Sequence, residues 1–309
     1  MINRALIRQK VVQILYSYFL RGNSNVDAAE KELLFSLSKA FELYNFLLAL
    51  MPEIMYYASN RIELRRAKLQ PTYDDLHPNM RFVENAFINQ LAANSQLEEN
   101  RKDAKYSWRD NEDFVHRLFE QIEASPLYES YMSAQSTTYE EDRDFWRKIY
   151  KSFIVDNDEL DELLESLSLY WNDDKAIIDT FVLKTIKHFE EGNGAQQPLL
   201  SEFRDDDDLQ FATKLLRKAI LNAADYQKLI DDHSQNWDKD RIAFMDYVIL
   251  TAAITEIVTF PNIPTSVSLN EYIEIAKYYS TPKSSSFING IADAVVKKLQ
   301  QEGKLTKNV

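Results

Sequence analysis

The chain has 309 residues, a formal net charge of −13, no cysteine, five glycines and eight prolines. Without cysteine there are no disulfides, thiolate metal sites or cysteine nucleophile. So few turn formers argue against hairpin-rich folds and glycine-built phosphate loops, and the long periodic stretches predict an all-α protein. The charge is unevenly spread. Residues 1–21 hold four Lys/Arg and no acid, 209–309 hold 12 against 11, and 22–208 hold 20 against 38. The ends are mildly basic and the middle is acidic, which argues against nucleic-acid contact by the middle.

The first helix is expected from about Asn3 to Leu20, with Ala5, Val12, Leu15, Tyr16 and Phe19 as its apolar stripe. Its basic start, MINRALIRQK, continues at helical spacing and reads as structure, not as a targeting segment. Gly22 and Asn23 suit a left-handed cap. A second helical stretch covers about 26–68, with Pro52 as an expected break. No run of 18 apolar residues is found, so no membrane-spanning helix is expected. QPTYDDLHP (70–78) reads as a loop, 79–204 as several helices with acidic turns, and EGNGAQQP (191–198) as the best linker.

Helices are then expected over about 206–233 and 238–260. SLNE (268–271) reads as a capping box between Ser268 and Glu271, opening a helix that ends near Tyr279. The last helix starts at TPKSS (281–285) and ends near Gln301. Within it, FINGIADAV (287–295) sets Asn289 and Gly290 inside an apolar pattern. A mid-helix glycine costs roughly 1 kcal/mol relative to alanine, which asks for a packing reason.

Catalytic chemistry has no candidate. The four histidines are scattered, and no phosphate loop, dinucleotide fingerprint or nucleophile elbow is present. DDDD (205–208) and DNDELDELLE (156–165) lack the spacing of a helical magnesium site and read as helix starts, where carboxylates favour the positive helix end. No catalytic residue, metal or cofactor is expected. Tyr278 and Tyr279 are a candidate base-stacking pair, with helix-end packing as the plainer reading.

RQKVVQILYSY (8–18), NWDKDRIAFMDYVILTAAITEI (236–257), Pro264, SLNEYIEIAKYY (268–279) and SSSFINGIADAV (284–295) occur in this order. Together they resemble the NusB family of transcription antitermination factors, with Asn270–Glu271, Ala276–Lys277 and the FxNGxxD of Phe287, Asn289, Gly290 and Asp293 as the hallmark pieces. The resemblance covers about 1–24 and 205–309, leaving 25–204 as a large acidic helical insertion like that of the long Bacteroidetes forms. It implies an all-α, NusB-like helical bundle core in which the N-terminal helix packs with C-terminal helices.

It also implies binding without catalysis, in the cytoplasm. The expected partners are boxA-like single-stranded RNA, the small-subunit ribosomal protein NusE, and a complex with NusA, NusG and RNA polymerase. The carried-over RNA surface is Arg4, Arg8, Lys10, Gln13, Tyr16, Lys283 and Phe287; the NusE-facing residues are Tyr16, Asp240 and Asp246. Asn289 and Gly290 are expected to serve close helix packing. Ala5 and Leu6 stand where the family carries further arginines, so RNA binding is expected to be weak and shallow in its salt dependence. One rival reading is a NusB-like protein scaffold that has lost RNA contact. Another is the NusB-like domain of an rRNA methyltransferase, which would need a glycine-rich cofactor loop and catalytic cysteines.

Overall fold

A computed structural model describes residues 1–22, 25–203, 205–234 and 242–305. The Asn3 side chain accepts the Leu6 amide and starts α1, Arg4–Leu20, which stops at Gly22 with φ at 59°. Asn23 lies outside the described residues. α2 then runs unbroken as Val26–Arg66, with Pro52 inside it. Proline removes an amide donor and crowds the preceding turn, a cost of ~3 kcal/mol. Here Leu47, Leu48, Leu50, Met51 and Ile54 are all buried around it, and their packing holds the helix together. α2 includes an 18-residue window of mean hydropathy 1.4, long and apolar enough to cross a membrane. Two-thirds of that window (67%) is buried within the protein, as befits a core helix.

The described chain is helical throughout, apart from turns and one isolated parallel bridge, Ile2–Phe203. It divides into two compact units. Unit 1 comprises Met1 and Lys39–Ser201; unit 2 comprises Ile2–Ser38 and the chain from Glu202 onward. Residues 26–38 of α2 thus fall in unit 2, although the sequence reading placed them in the insertion. Unit 1 carries 18 Lys/Arg against 30 Asp/Glu, and unit 2 carries 18 against 19.

In unit 1 the rest of α2 is joined by α3 (Tyr73–Leu76), α4 (Ala86–Ala92), α5 (Ser95–Arg101), α6 (Glu112–Glu123), α7 (Pro126–Ser133), α8 (Tyr139–Ile149), α9 (Asp158–Leu167) and α10 (Lys175–Lys187). Its core is aromatic. Phe46 stacks on Trp108 at 4.1 Å and on Trp171 at 5.3 Å, and both indole N–H groups donate to α2 carbonyls, those of Phe46 and Lys39. Two expectations are corrected here. The loop at 70–78 contains α3, opened by a capping box between Thr72 and Asp75. The expected linker at 191–198 is a fixed turn. Gln90 donates to the carbonyls of Glu190 and Gly194, Asn94 donates to Gln197, and Gly194 takes φ 49°. Those amides satisfy the turn's backbone, so glycine here marks tight geometry, not a joint.

Unit 2 holds α1 with α11 (Asp206–Leu221), α12 (Ala223–His233), α13 (Phe244–Thr259), α14 (Thr265–Tyr279) and α15 (Ser284–Gln301). Asp205 caps α11 by accepting the Asp208 amide, as expected of DDDD. The helix expected at 206–233 breaks at Asn222, which has φ −106° and ψ 8°. α13 is apolar around most of its circumference and is the central helix, packed on α1, α11, α12, α14 and α15. α14 starts three residues before Ser268, after Pro264. Ser268 is therefore inside the helix and caps nothing.

Candidate nucleic-acid interface

The connection between α14 and α15, residues 280–283, is held from two sides. On one side, Tyr279 Oη accepts from Gln9 Nε2 at 2.8 Å and Gln13 Nε2 at 3.0 Å, which joins the end of α14 to the middle of α1. On the other, hydroxyls form a relay. Ser284 Oγ donates to Ser280 Oγ at 2.9 Å, and Ser280 Oγ donates to Asp246 Oδ1 at 2.5 Å. The Thr281 amide also donates to Ser284 Oγ at 3.1 Å. A carboxylate buried in α13 so fixes a short loop through two serines.

The last turn of α14 displays Tyr278, which is 84% exposed, and the loop displays the exposed Lys283, immediately before α15. An aromatic face and a cation on a rigid mount can stack a base and neutralise a phosphate. The amides of Gln9 and Gln13 and the half-buried Tyr16 lie on the adjoining face of α1. The sequence did not reveal the Tyr279 link or the serine relay. Both need side chains more than 30 residues apart, and periodicity carries no signal for that.

Several expected contacts lie elsewhere. Arg8 is only 4% exposed. Its Nε and Nη2 donate to the two oxygens of Glu256, both at 2.8 Å, and its Nη1 donates to Glu271 at 3.2 Å. Glu256 also accepts from Ser268 Oγ at 2.7 Å and Tyr272 Oη at 3.0 Å. Burial disfavours the charged guanidinium, but the hydrogen-bonded Glu256 carboxylate outweighs it and raises the Arg8 pKa above its ordinary value. Burial, with Glu256 beside it, drives the Tyr272 phenol well above its usual range. Arg8, Ser268, Glu271 and Tyr272 thus form one interior network around Glu256. This corrects both the RNA role of Arg8 and the capping box: Ser268 and Glu271 each serve the network, not each other.

Lys10 is 2% exposed and Phe287 is 4% exposed, so neither offers a surface to RNA. Phe287 faces inward because it shares the buried side of α15 with Ile288, Ile291, Ala292 and Val295. Asp246 is buried as the loop anchor and is not free for a partner protein. Asn289 and Gly290 are exposed, on the side of α15 opposite its buried stripe, so no neighbouring helix encloses them among the described residues. Asp240 lies outside the described residues. Arg4 remains half-exposed, with its Nε 3.4 Å from Asp208 and its guanidinium 5.0 Å from the Phe211 ring.

A cleft of about 530 Å³ opens at the far end of α1, lined by Phe19, Gln227, Phe244, Tyr247, Val248 and Thr251 among others. Tyr16 flanks it, its ring 5.4 Å from that of Phe244, which is itself exposed. Among the described residues the arrangement offers hydrogen bonds, the exposed Lys283, the half-exposed Arg4 and apolar rims.

The model of the NusB family matches residues 182–297. The match covers α11–α14 and most of α15, and begins within α10 of unit 1. A transcription antitermination protein NusB of Salinibacter ruber is 38% identical over 132 residues, covering 41% of this chain and 82% of that protein. One of Chloroherpeton thalassium is 41% identical over 98 residues, covering 32% and 46%. One of Koribacter versatilis is 39% identical over 94 residues, covering 30% and 64%. No solved structure matches significantly. With the hallmark residues, the all-helical architecture and a relative 38% identical that the match covers over 82% of its length, the chain belongs to the NusB family.

Proposed function

We propose that the chain is a transcription antitermination factor that binds boxA-type single-stranded RNA together with NusE. Unit 2 is its NusB-like core, and unit 1 is an insertion with no phosphate-binding role. The pair is tethered to RNA polymerase with NusA and NusG, in the cytoplasm. The work is binding, without catalysis or cofactor. The observation that carries the RNA reading is the end of α14 with the loop after it: Tyr278 and Lys283 exposed on a mount fixed by Asp246 and by Gln9 and Gln13 of α1. Arg4 adds a second, half-exposed cation. The apolar cleft beside Tyr16 and Phe244 is the surface assigned to NusE. Each Lys/Arg–phosphate contact on a single strand contributes about −0.7 to the slope of log K against log salt. Two cations give a shallow dependence, so NusE must supply much of the joint affinity.

The burial of Arg8 and Lys10 favours one alternative, a protein scaffold that no longer touches RNA. A filter-binding titration of boxA RNA with the full chain, with and without NusE, separates them. Antitermination binding requires RNA affinity that rises when NusE is added, above that of NusE alone. If the chain adds nothing to RNA retention while still binding NusE, the scaffold reading stands.

A further inference from the structure

We infer that unit 1 carries a cation-binding cleft for an arginine- or lysine-rich segment of a protein partner, set between α2 and the start of α6. The cleft has a volume of about 510 Å³ and includes Glu53, Tyr56, Tyr57, Trp108, Glu112 and Asp113 in its lining. It lies wholly within unit 1 and is independent of the RNA reading.

Its floor is rigid. Trp108 is buried, stacks on Phe46 and donates its indole N–H to the Phe46 carbonyl at 2.7 Å. The Tyr57 ring is fixed edge-on to Phe119 at 5.6 Å and tilted against His116 at 4.9 Å. Tyr56 is exposed at the rim. Three carboxylates share the cleft with one guanidinium, that of Arg109. Glu53 has Arg101 as an electrostatic neighbour, whose Nε is buried without a hydrogen-bond partner; the Arg101 pKa is lowered by burial, with Glu53 opposing and Arg109 adding to the shift.

Glu112 and Asp113 differ from Glu53. Both are exposed in the first turn of α6, and neither forms an ion pair within 4.0 Å among the described residues. Arg117, one turn beyond Asp113, is bonded to Glu159 and feels Asp113 only as a weaker electrostatic neighbour. The helix end accounts for acids there. It does not account for acids facing tyrosines across a cleft.

The chemistry selects the occupant. An anion would meet three carboxylates, and an apolar segment would strip their water without repayment in hydrogen bonds. A guanidinium or ammonium can lie over tyrosine faces while donating to the carboxylates, and its aliphatic stem can cover the ring edges. The volume exceeds a single side chain, which fits a peptide segment. The surplus of 30 acids over 18 bases in unit 1 would draw such a segment in.

The test is fluorescence anisotropy with the full chain and labelled nona-arginine, with labelled nona-glutamate as the opposite-charge control. The paired variant Glu112→Gln/Asp113→Asn should weaken nona-arginine binding about tenfold, and Tyr56→Ala about threefold. Glu129→Gln/Glu140→Gln removes the same charge from exposed positions outside the cleft and should change affinity less than about twofold. Thermal melts confirm that each variant is folded. Equal loss in the outside variant would overturn the cleft in favour of bulk acidity. Displacement by equimolar spermine would overturn the peptide assignment in favour of a small polycation. Binding of nona-glutamate, or no binding of nona-arginine, would overturn the proposal outright.

Discussion

The two units bury charge in similar ways but differ in the charge they carry. In unit 2 the buried hub is Arg8 on Glu256; in unit 1 it is Lys175, 3.0 Å from Asp179, which accepts from Tyr150 Oη at 2.7 Å. Carboxylates win at Arg8 and keep it charged, whereas burial wins at Asp179 and raises its pKa despite Lys175. Outside these hubs, unit 1 is strongly acidic and unit 2 is close to neutral. The difference teaches that a basic residue on a helix identifies a nucleic-acid surface only after its burial is known. Unit 2 buries two of its first-helix cations, so the proposed RNA contact rests on Arg4 and Lys283.

Breaking the hubs separates interior charge from surface charge most sharply. Arg8→Met leaves Glu256 buried without its cation and should cost about 3–5 kcal/mol in urea unfolding, with amide exchange rising first in unit 2 peptides. Lys175→Met should cost about 3 kcal/mol, with exchange rising in unit 1 instead. Its pH dependence has a definite sign. The Asp179 pKa is raised in the folded state, so its contribution is full below the ordinary carboxylate range and is lost as pH rises through the raised value. Removing Lys175 strengthens that trend: the deficit should be largest near neutral pH and shrink on acidification.

The family core was legible because its signals are local and ordered. The start and end of α1, the cap at Asp205, the end of α14 at Tyr279 and the course of α15 all follow from periodicity and capping residues. The candidate site was only partly legible. Lys283 and Arg4 kept surface positions, but Arg8, Lys10, Phe287 and Asp246 turned inward, because burial is decided by neighbours on other helices. Ser268 shows why motif spacing can mislead. Serine followed by glutamate at the third place fits a capping box, yet Glu256, twelve residues upstream, captures the hydroxyl. In unit 1 glycine and proline misdirected the reading, since Pro52 sits in a packed helix and Gly194 in a hydrogen-bonded turn.

Smaller changes sharpen the account of the loop. Tyr279→Phe removes the acceptor shared by Gln9 and Gln13 and should cost about 1 kcal/mol, while loosening the loop enough to lower RNA affinity. Lys283→Gln should leave stability within about 0.5 kcal/mol and act on RNA alone.

The most direct measurement is the salt dependence of boxA RNA affinity, with NusE present, for the unaltered chain and for Lys283→Gln. The slope of log K against log salt should flatten by about 0.7 in the variant, with no change in melting temperature. An unchanged slope would contradict a phosphate contact at Lys283 and remove the α14–α15 loop from the RNA surface.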